Sequence, residues 1–371
     1  MILHIPHSST NTQDFTFNGD ITHELNIMTD WYTDELFDYP YTDRVILDVS
    51  RLVCDVERYS DPALEAMEKY GMGVCYTKRF SGEALRMVDS EERERIIEMH
   101  YKPHHRRLET VIRSQLDVLA KVFVVDCHSF YGTQLTHEED SNRPDICIGT
   151  DPEHTPIELI DELLEYFANN GLTVAINSPF AGTMVPTVYR SNHGVKSLMI
   201  EVNRSLYLDD NFQKSESFES VKDLITGALN IISRVENSYY VESFANEILE
   251  LECQIEHNEE QSWYFKSGIQ SHNDKLHGLI KNFETLRSKI NSRTIEQLTA
   301  LLKKEECKLL GAEGKDGGGS RWIRSMHLGS IKRDIKTLKF YLNIKNSVGD
   351  VSDLDFFRNE KESRYAFYNP Q

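Results

Sequence analysis

The sequence predicts an α/β protein: a three-layer sandwich around a mixed, mostly parallel sheet, followed by an all-helical C-terminal extension. Three observations predict it. Short apolar runs at residues 1–6, 122–125 and 197–200 are bounded by polar or turn residues, as strands buried on both faces are. Segments of helical periodicity separate these runs, and strands alternating with helices build α/β layers. From about residue 240 the alternation stops and only helical patterning continues.

Taken in order, residues 1–6 form the first strand, stopped by Pro6, and the loop after it closes at Asn18-Gly19. Asp20 is a plausible N-cap for a helix reaching about Phe37, ended by Pro40. Residues 44–49 form a second strand and residues 51–58 a third short extended piece. Ser90-Glu91-Glu92-Arg93 opens a long amphipathic helix to Leu119, with a break expected at Pro103. Residues 122–125 make the central strand, which ends in Asp126-Cys127-His128-Ser129. A strand at 145–150, a helix at 157–169 ended by Asn170-Gly171, strands at 173–176 and 197–202, and a helix at 218–235 complete the layered part. The expected domains are 1–238 and 239–371. In the second, Ile269, Leu276, Leu279, Phe283, Leu286 and Ile290 fall on heptad positions, with His272 in the seam. About three heptads favour a helix packed on its neighbours over a free coiled coil.

Composition narrows the function. A hydrophobic content of 39% suffices for a core, and a mean hydropathy of -0.48 goes with the absence of any apolar run of bilayer length. The start enters a strand without a basic segment, so the expected location is cytoplasmic. Six cysteines without a CxxC spacing read as free thiols. A net charge of -19 argues against nucleic-acid binding by the whole chain. Its one locally basic stretch, 321–339 (Arg321, Arg324, Lys332, Arg333, Lys336, Lys339), reads first as a solvated face. Residues 240–371 suit self-association or binding of a protein partner.

Chemistry-bearing side chains gather at strand ends. His7 and His128 each follow a strand and are flanked by small polar residues, a setting that favours a metal or catalytic pair. The carboxyl ends of strands are where open α/β sheets bind ligands. A hydrolytic zinc site needs a further ligand, and the candidates are Asp30, Glu24, Asp34, Asp48 and Asp126. Asp30 is the best placed, because its helix directly follows the His7 loop. Glu201 closes a strand and suits a general base, while Arg51, Arg58 and Arg204 can each grip a carboxylate in bidentate fashion. The loop Pro179-Phe180-Ala181-Gly182-Thr183 allows close backbone approach to a ligand.

These pieces together resemble the N-formylglutamate amidohydrolase family. The matching stretches are Ile5-Pro6-His7-Ser8-Ser9, residues 29–37, Ser50 to Arg58 (including Asp55 and Glu57), Tyr76-Thr77 with Gly82 to Arg86, and Pro103-His104-His105-Arg106. They continue with Val125-Asp126-Cys127-His128-Ser129, Asn177-Ser178-Pro179-Phe180 and residues 200–207, which include Asn203 and Arg204. The resemblance covers roughly residues 1–235. It implies a fold similar to zinc carboxypeptidases and aspartoacylase-type deacylases, one zinc per chain, and hydrolysis of an N-acyl, expectedly N-formyl, amino acid. It further implies His7 and His128 as ligands, with Asp30 the expected third, and Glu201 as general base. Arg58, Arg51, Asn203, Arg204 and Asp55 are the expected substrate-binding residues. Two departures stand out: Glu57 occupies the place where the deacylase Asp-x-Asn-Arg motif has Asn, and Thr10 lies where the carboxypeptidase His-x-x-Glu has its acid.

Overall fold

The computed structural model describes residues 1–12, 15–40, 42–117, 121–135, 138, 140–261, 266–293, 297–301, 303–304, 345 and 351–352. The basic stretch at 321–339 lies outside these, as do the side chains of Ile269 and His272. The chain divides into two compact units, Met1–Ile232 and Ser233–Gln371.

The first unit is built on β1 (Ile2–Ile5), β2 (Asp43–Ile46), β3 (Val122–Phe130), β4 (Ile146–Gly149), β5 (Val174–Ile176) and β6 (Val195–Asn203). They form one six-stranded sheet in the order β2-β1-β3-β6-β4-β5. All pairings are parallel except β4 on β6, so the sheet is mixed and mostly parallel, as the alternation predicts. Its helices are α1 (Thr22–Met28), α2 (Thr33–Leu36), α3 (Ser90–Ile96), α4 (Lys102–Leu116), α5 (Ile157–Asn169) and α6 (Phe218–Gln261), the last continuing into the second unit.

Register explains how one sheet face carries both core and chemistry. Side chains alternate along a strand, so Val122, Val124, Asp126 and His128 share a face of β3. Their paired neighbours are Ile2 and His4 on β1, and Val195, Ser197, Met199 and Glu201 on β6. The N-terminal rows of this face are apolar and pack with Leu108 and Ile112 of α4. The C-terminal rows are acidic and basic. His104 stands one turn before Leu108 on the same helix stripe, and so meets the polar rows where Leu108 meets the apolar ones. Leu3, Phe123 and Val125 alternate to the opposite face and are fully buried.

Three local expectations change. The helix expected over 20–37 is two helices, because Tyr32 adopts a left-handed conformation (φ 59°) between them. Asp20 still accepts hydrogen bonds from the Thr22 backbone N–H and hydroxyl, at 2.9 and 2.7 Å, from one residue further out than a cap. Residues 51–58 form turns rather than a strand, since Asp55 and Ser50 tie their own backbone through short-range bonds to Glu57 and Leu52. Pro103 does not break the helix, because the hydrogen-bond ladder shifts to the π pattern just before it, with the Lys102 N–H on Ile97 O. The irregularity falls just before, as a π-helical turn over Ile97–Tyr101.

In the second unit, Phe283, Leu286 and Ile290 of α7 (Lys266–Asn291) pack with Val241, Ala245 and Ile248 of α6 and with Val351. The heptad positions thus serve a helix packed on its neighbours. Among the described residues no helix is long and apolar enough to cross a membrane, and Cys54, Cys75, Cys127 and Cys147 are free thiols.

Candidate active site

The polar end of the sheet face opens into a cleft of about 810 Å³ that includes His7, Glu57, Arg58, His128 and Glu201 in its wall. His7 lies just beyond β1 and His128 lies in β3, and their rings stand 5.1 Å apart. Each ring has one nitrogen occupied from behind. Asp55 accepts from His7 Nε2 at 3.0 Å, and Asp30 accepts from His128 Nδ1 at 3.0 Å. The opposite nitrogens face Glu57: His128 Nε2 at 3.2 Å and His7 Nδ1 at 3.7 Å. His7 Nδ1 is buried and has no hydrogen-bond partner. An imidazole nitrogen left unpaired beside a carboxylate and a second imidazole makes a donor set that can hold a metal ion.

Asp30, placed third by the sequence reading, belongs to the cluster but is engaged elsewhere. One oxygen accepts from Arg204 Nη2 at 2.8 Å, and the other from His128 Nδ1 and the Ser129 N–H. The acid that converges with both free ring nitrogens is Glu57, and His7, Glu57 and His128 offer ligand atoms all within 4.8 Å of one another. Asp126 lies 3.1 Å from His128 Nε2 and binds His4 as well. Glu24 accepts from the Phe80 N–H; among the described residues, Glu24, Asp34 and Asp48 join no convergent metal-ligand group.

Electrostatics follow from this packing. Burial alone would raise the Asp30 carboxyl, but the bond from His128, the nearby His7 ring (Nδ1 3.7 Å from Oδ2) and the Arg204 charge hold it well below the usual range. Asp55 is likewise raised by burial and pulled well below by His7, Arg51 and Arg58. His128 is lowered by burial, yet Glu57 and Asp126 bring it well above the usual imidazole value. Glu201 behaves in the opposite way. Burial pushes it up to about 7, against the opposing pull of His128. Its Oε2 has no hydrogen-bond partner. A buried carboxyl with a free oxygen, raised towards neutrality beside the His7–His128 pair, suits proton transfer.

The arginines divide by occupancy. Arg204 spends every donor group internally: Nε on Ser129 Oγ, Nη1 on Ile27 O, and Nη2 on Asp30 and Ser129 O. It is a brace for the strand ends. Arg204→Met is expected to cost about 3–5 kcal/mol of stability, because it strands the Asp30 charge in the interior; urea unfolding measures this. Asn203 turns away from the cleft, bonding Pro144 O and capping the turn at Ser205. Arg51 and Arg58 both line the cleft. Arg51 Nη2 donates to Asp55 at 3.0 Å, and Arg58 Nε lies 3.5 Å from the same carboxylate, with Nε unpaired on both. Asp55 thus holds the arginines and His7 together and lies behind them.

Sequence reasoning left His4 and His104 without a role and read Glu57 only as a departure. The available signals were the Glu57-Arg58 pair beside Asp55 and the strand alternation that puts His4 level with Asp126.

A mostly parallel α/β sheet that gathers paired histidines, a converging acid and a buried glutamate at the ends of its strands has the layout of a hydrolase-type site. The family model for N-formylglutamate amidohydrolase matches residues 1–208, and the chain belongs to that family. Among solved structures it is similar to an N-formylglutamate amidohydrolase from Ralstonia eutropha JMP134, with 20% identity, a TM-score of 0.54, and 61% of this chain and 90% of that one covered. It is also similar to a gene product from Agrobacterium tumefaciens at 22% identity and a TM-score of 0.46, covering 62% of this chain and 91% of that one. No curated protein matches.

Proposed function

We propose that the protein hydrolyses the amide bond of an N-formyl amino acid, with a zinc ion held by His7 Nδ1, His128 Nε2 and Glu57. The observation that carries the reading is the orphaned His7 nitrogen facing Glu57 beside the buried Glu201. Two imidazoles and one carboxylate are the usual donor set of a catalytic zinc, which when bound supplies Lewis-acid polarisation of the amide carbonyl and acidifies water.

The chain's own residues do the rest. Asp55 and Asp30 fix the His7 and His128 rings from behind and so present Nδ1 and Nε2 to the cleft. Glu201 accepts the proton of the attacking water at its free Oε2. As the C–N bond breaks, it returns that proton to the departing amine, leaving formate and the amino acid. Arg58 and Arg51 bind the substrate's carboxylate and set its orientation.

The test is to load purified protein with zinc and follow formate release from N-formylglutamate. No release would overturn the reading. Arg58→Ala is expected to raise KM by about 10- to 100-fold for this substrate, since a charged hydrogen bond is worth about 1.5–3 kcal/mol. The same change should leave an uncharged N-formyl amide nearly unaffected, and equal losses on both would remove Arg58 from substrate binding.

The size of the cleft favours a second reading of the substrate. About 810 Å³ exceeds the needs of a formylated amino acid and suits a larger peptide-like or conjugated amide. A higher kcat/KM for N-formyl dipeptides than for N-formylglutamate would establish it.

A further inference from the structure

Both oxygens of Glu57 lie 3.2 Å from His128 Nε2, and each also approaches a second histidine. Oε2 lies 3.7 Å from His7 Nδ1, and Oε1 lies 3.8 Å from His4 Nδ1. On the His4 side stands Asp126, whose Oδ1 is 2.7 Å from His4 Nδ1. His4, Glu57 and Asp126 therefore offer one imidazole nitrogen and two carboxylate oxygens, all within 4.8 Å of one another. His4 and Asp126 are almost wholly enclosed.

The surroundings aim these atoms. The Met184 N–H donates to Asp126 Oδ2 at 3.0 Å, which leaves Oδ1 turned towards His4 Nδ1 and, at 3.1 Å, His128 Nε2. His4 Nε2 is 2.8 Å from His104 Nε2. An imidazole held at one nitrogen with the other directed at carboxylates is how proteins present a metal-binding histidine. The register is what makes this possible, because His4 pairs with Asp126 across β1 and β3 while α4 brings His104 over both.

We infer that His4, Asp126 and Glu57 form a second divalent-cation site, joined to the first through Glu57 as a bridging carboxylate. This rests on the zinc reading of the first site. Without the cation, the His4–Asp126 contact is a hydrogen bond with the proton on His4 Nδ1. A cation on His4 Nδ1 requires the other tautomer, with the ring proton on Nε2 and directed at His104 Nε2. An imidazole with two carboxylates suits zinc, cobalt or manganese rather than a thiol-seeking ion. Paired ions sharing a carboxylate are an established arrangement for amide and phosphoester hydrolysis.

Ion stoichiometry tests the inference without recourse to turnover. Chelator-stripped full-length protein would be reloaded with zinc chloride, desalted and subjected to elemental analysis. About two zinc ions per chain are expected for the wild type and one for His4→Phe, which keeps the core filled. Asp126→Asn provides a second variant should His4→Phe fail to fold, and it too should lose one of the two ions. Titration with cobalt(II) should show two steps in visible absorption for the wild type and one for either variant. One ion in the wild type, unchanged in the variants, would overturn the second site and leave His4–Asp126 a hydrogen-bonded brace. Two ions in both wild type and variants would put the second ion elsewhere and overturn it equally. No ion in the wild type would overturn the zinc reading as well, so the two failures are distinct.

Discussion

Replacing Glu201 by glutamine is expected to lower kcat/KM by about 10²- to 10⁴-fold while leaving the zinc content unchanged, because under the proposed function it removes the general base and touches no metal ligand. The same variant should gain stability. In the cation-free protein the carboxyl of Glu201 is raised to about 7 from an ordinary value of 4.5. A carboxyl raised on folding favours its protonated form in the native state. Its contribution is complete below the unfolded value and is lost as pH rises through the folded one. At about 1.4 kcal/mol for each pH unit, ionising Glu201 costs the native state on the order of 3 kcal/mol above neutrality. Urea unfolding of the cation-free proteins should therefore show Glu201→Gln more stable than wild type at pH 8, with most of the gap gone at pH 5. Equal stabilities at pH 8 would mean that Glu201 is not strained by burial. Full activity in Glu201→Gln would remove it as the base. The pairing of lost activity with gained stability is what separates a functional carboxyl from a structural one.

That Glu201 was visible in the sequence, whereas its neighbours were not all visible, has a physical explanation. A strand that runs apolar residues straight into an acid announces a polar strand end, and residues 197–201 and 122–128 both do so. A mixed, mostly parallel sheet also follows from short apolar runs alternating with helical segments, but the order of its strands does not. Ligand convergence does not follow, because it depends on which loop carries the third acid back over the sheet. Asp30 is close to His7 in sequence and close to it in space, yet Arg204, 174 positions later in the chain, claims its oxygen. Glu57 comes from a segment whose composition reads as extended but whose Asp55 and Ser50 side chains fold it into turns. Short-range competition between side chain and backbone decided the matter there, and periodicity does not register it. His4 looks like one more strand residue until the register pairs it with Asp126 and α4 supplies His104. Asn203 and Arg204 carry the right chemistry for a substrate site, but they spend it on the chain itself.

Glu57→Gln is expected to abolish zinc retention, and Asp30→Asn only to weaken it. Glu57 presents its carboxylate to the two ring nitrogens left free by Asp55 and Asp30, and it is the one acid of the cluster with an appreciable opening to the cleft, at 18% side-chain exposure. Glutamine keeps the size but removes the charge and one oxygen's basicity, so affinity should fall well beyond the 10- to 100-fold typical of losing an outer partner of a ligand. Asp30 is such a partner: it orients His128 by accepting from Nδ1. Its replacement should fall within that 10- to 100-fold range. Asp30→Asn also leaves Arg204 buried without its counter-charge, so its unfolding midpoint should drop while that of cation-free Glu57→Gln holds. Zinc affinity by competition with a chromophoric chelator, read beside urea unfolding, separates the two effects. If Asp30→Asn lost the ion completely at unchanged stability while Glu57→Gln kept it, the third ligand would be Asp30. The role of Glu57 would then reduce to holding His128 through Nε2.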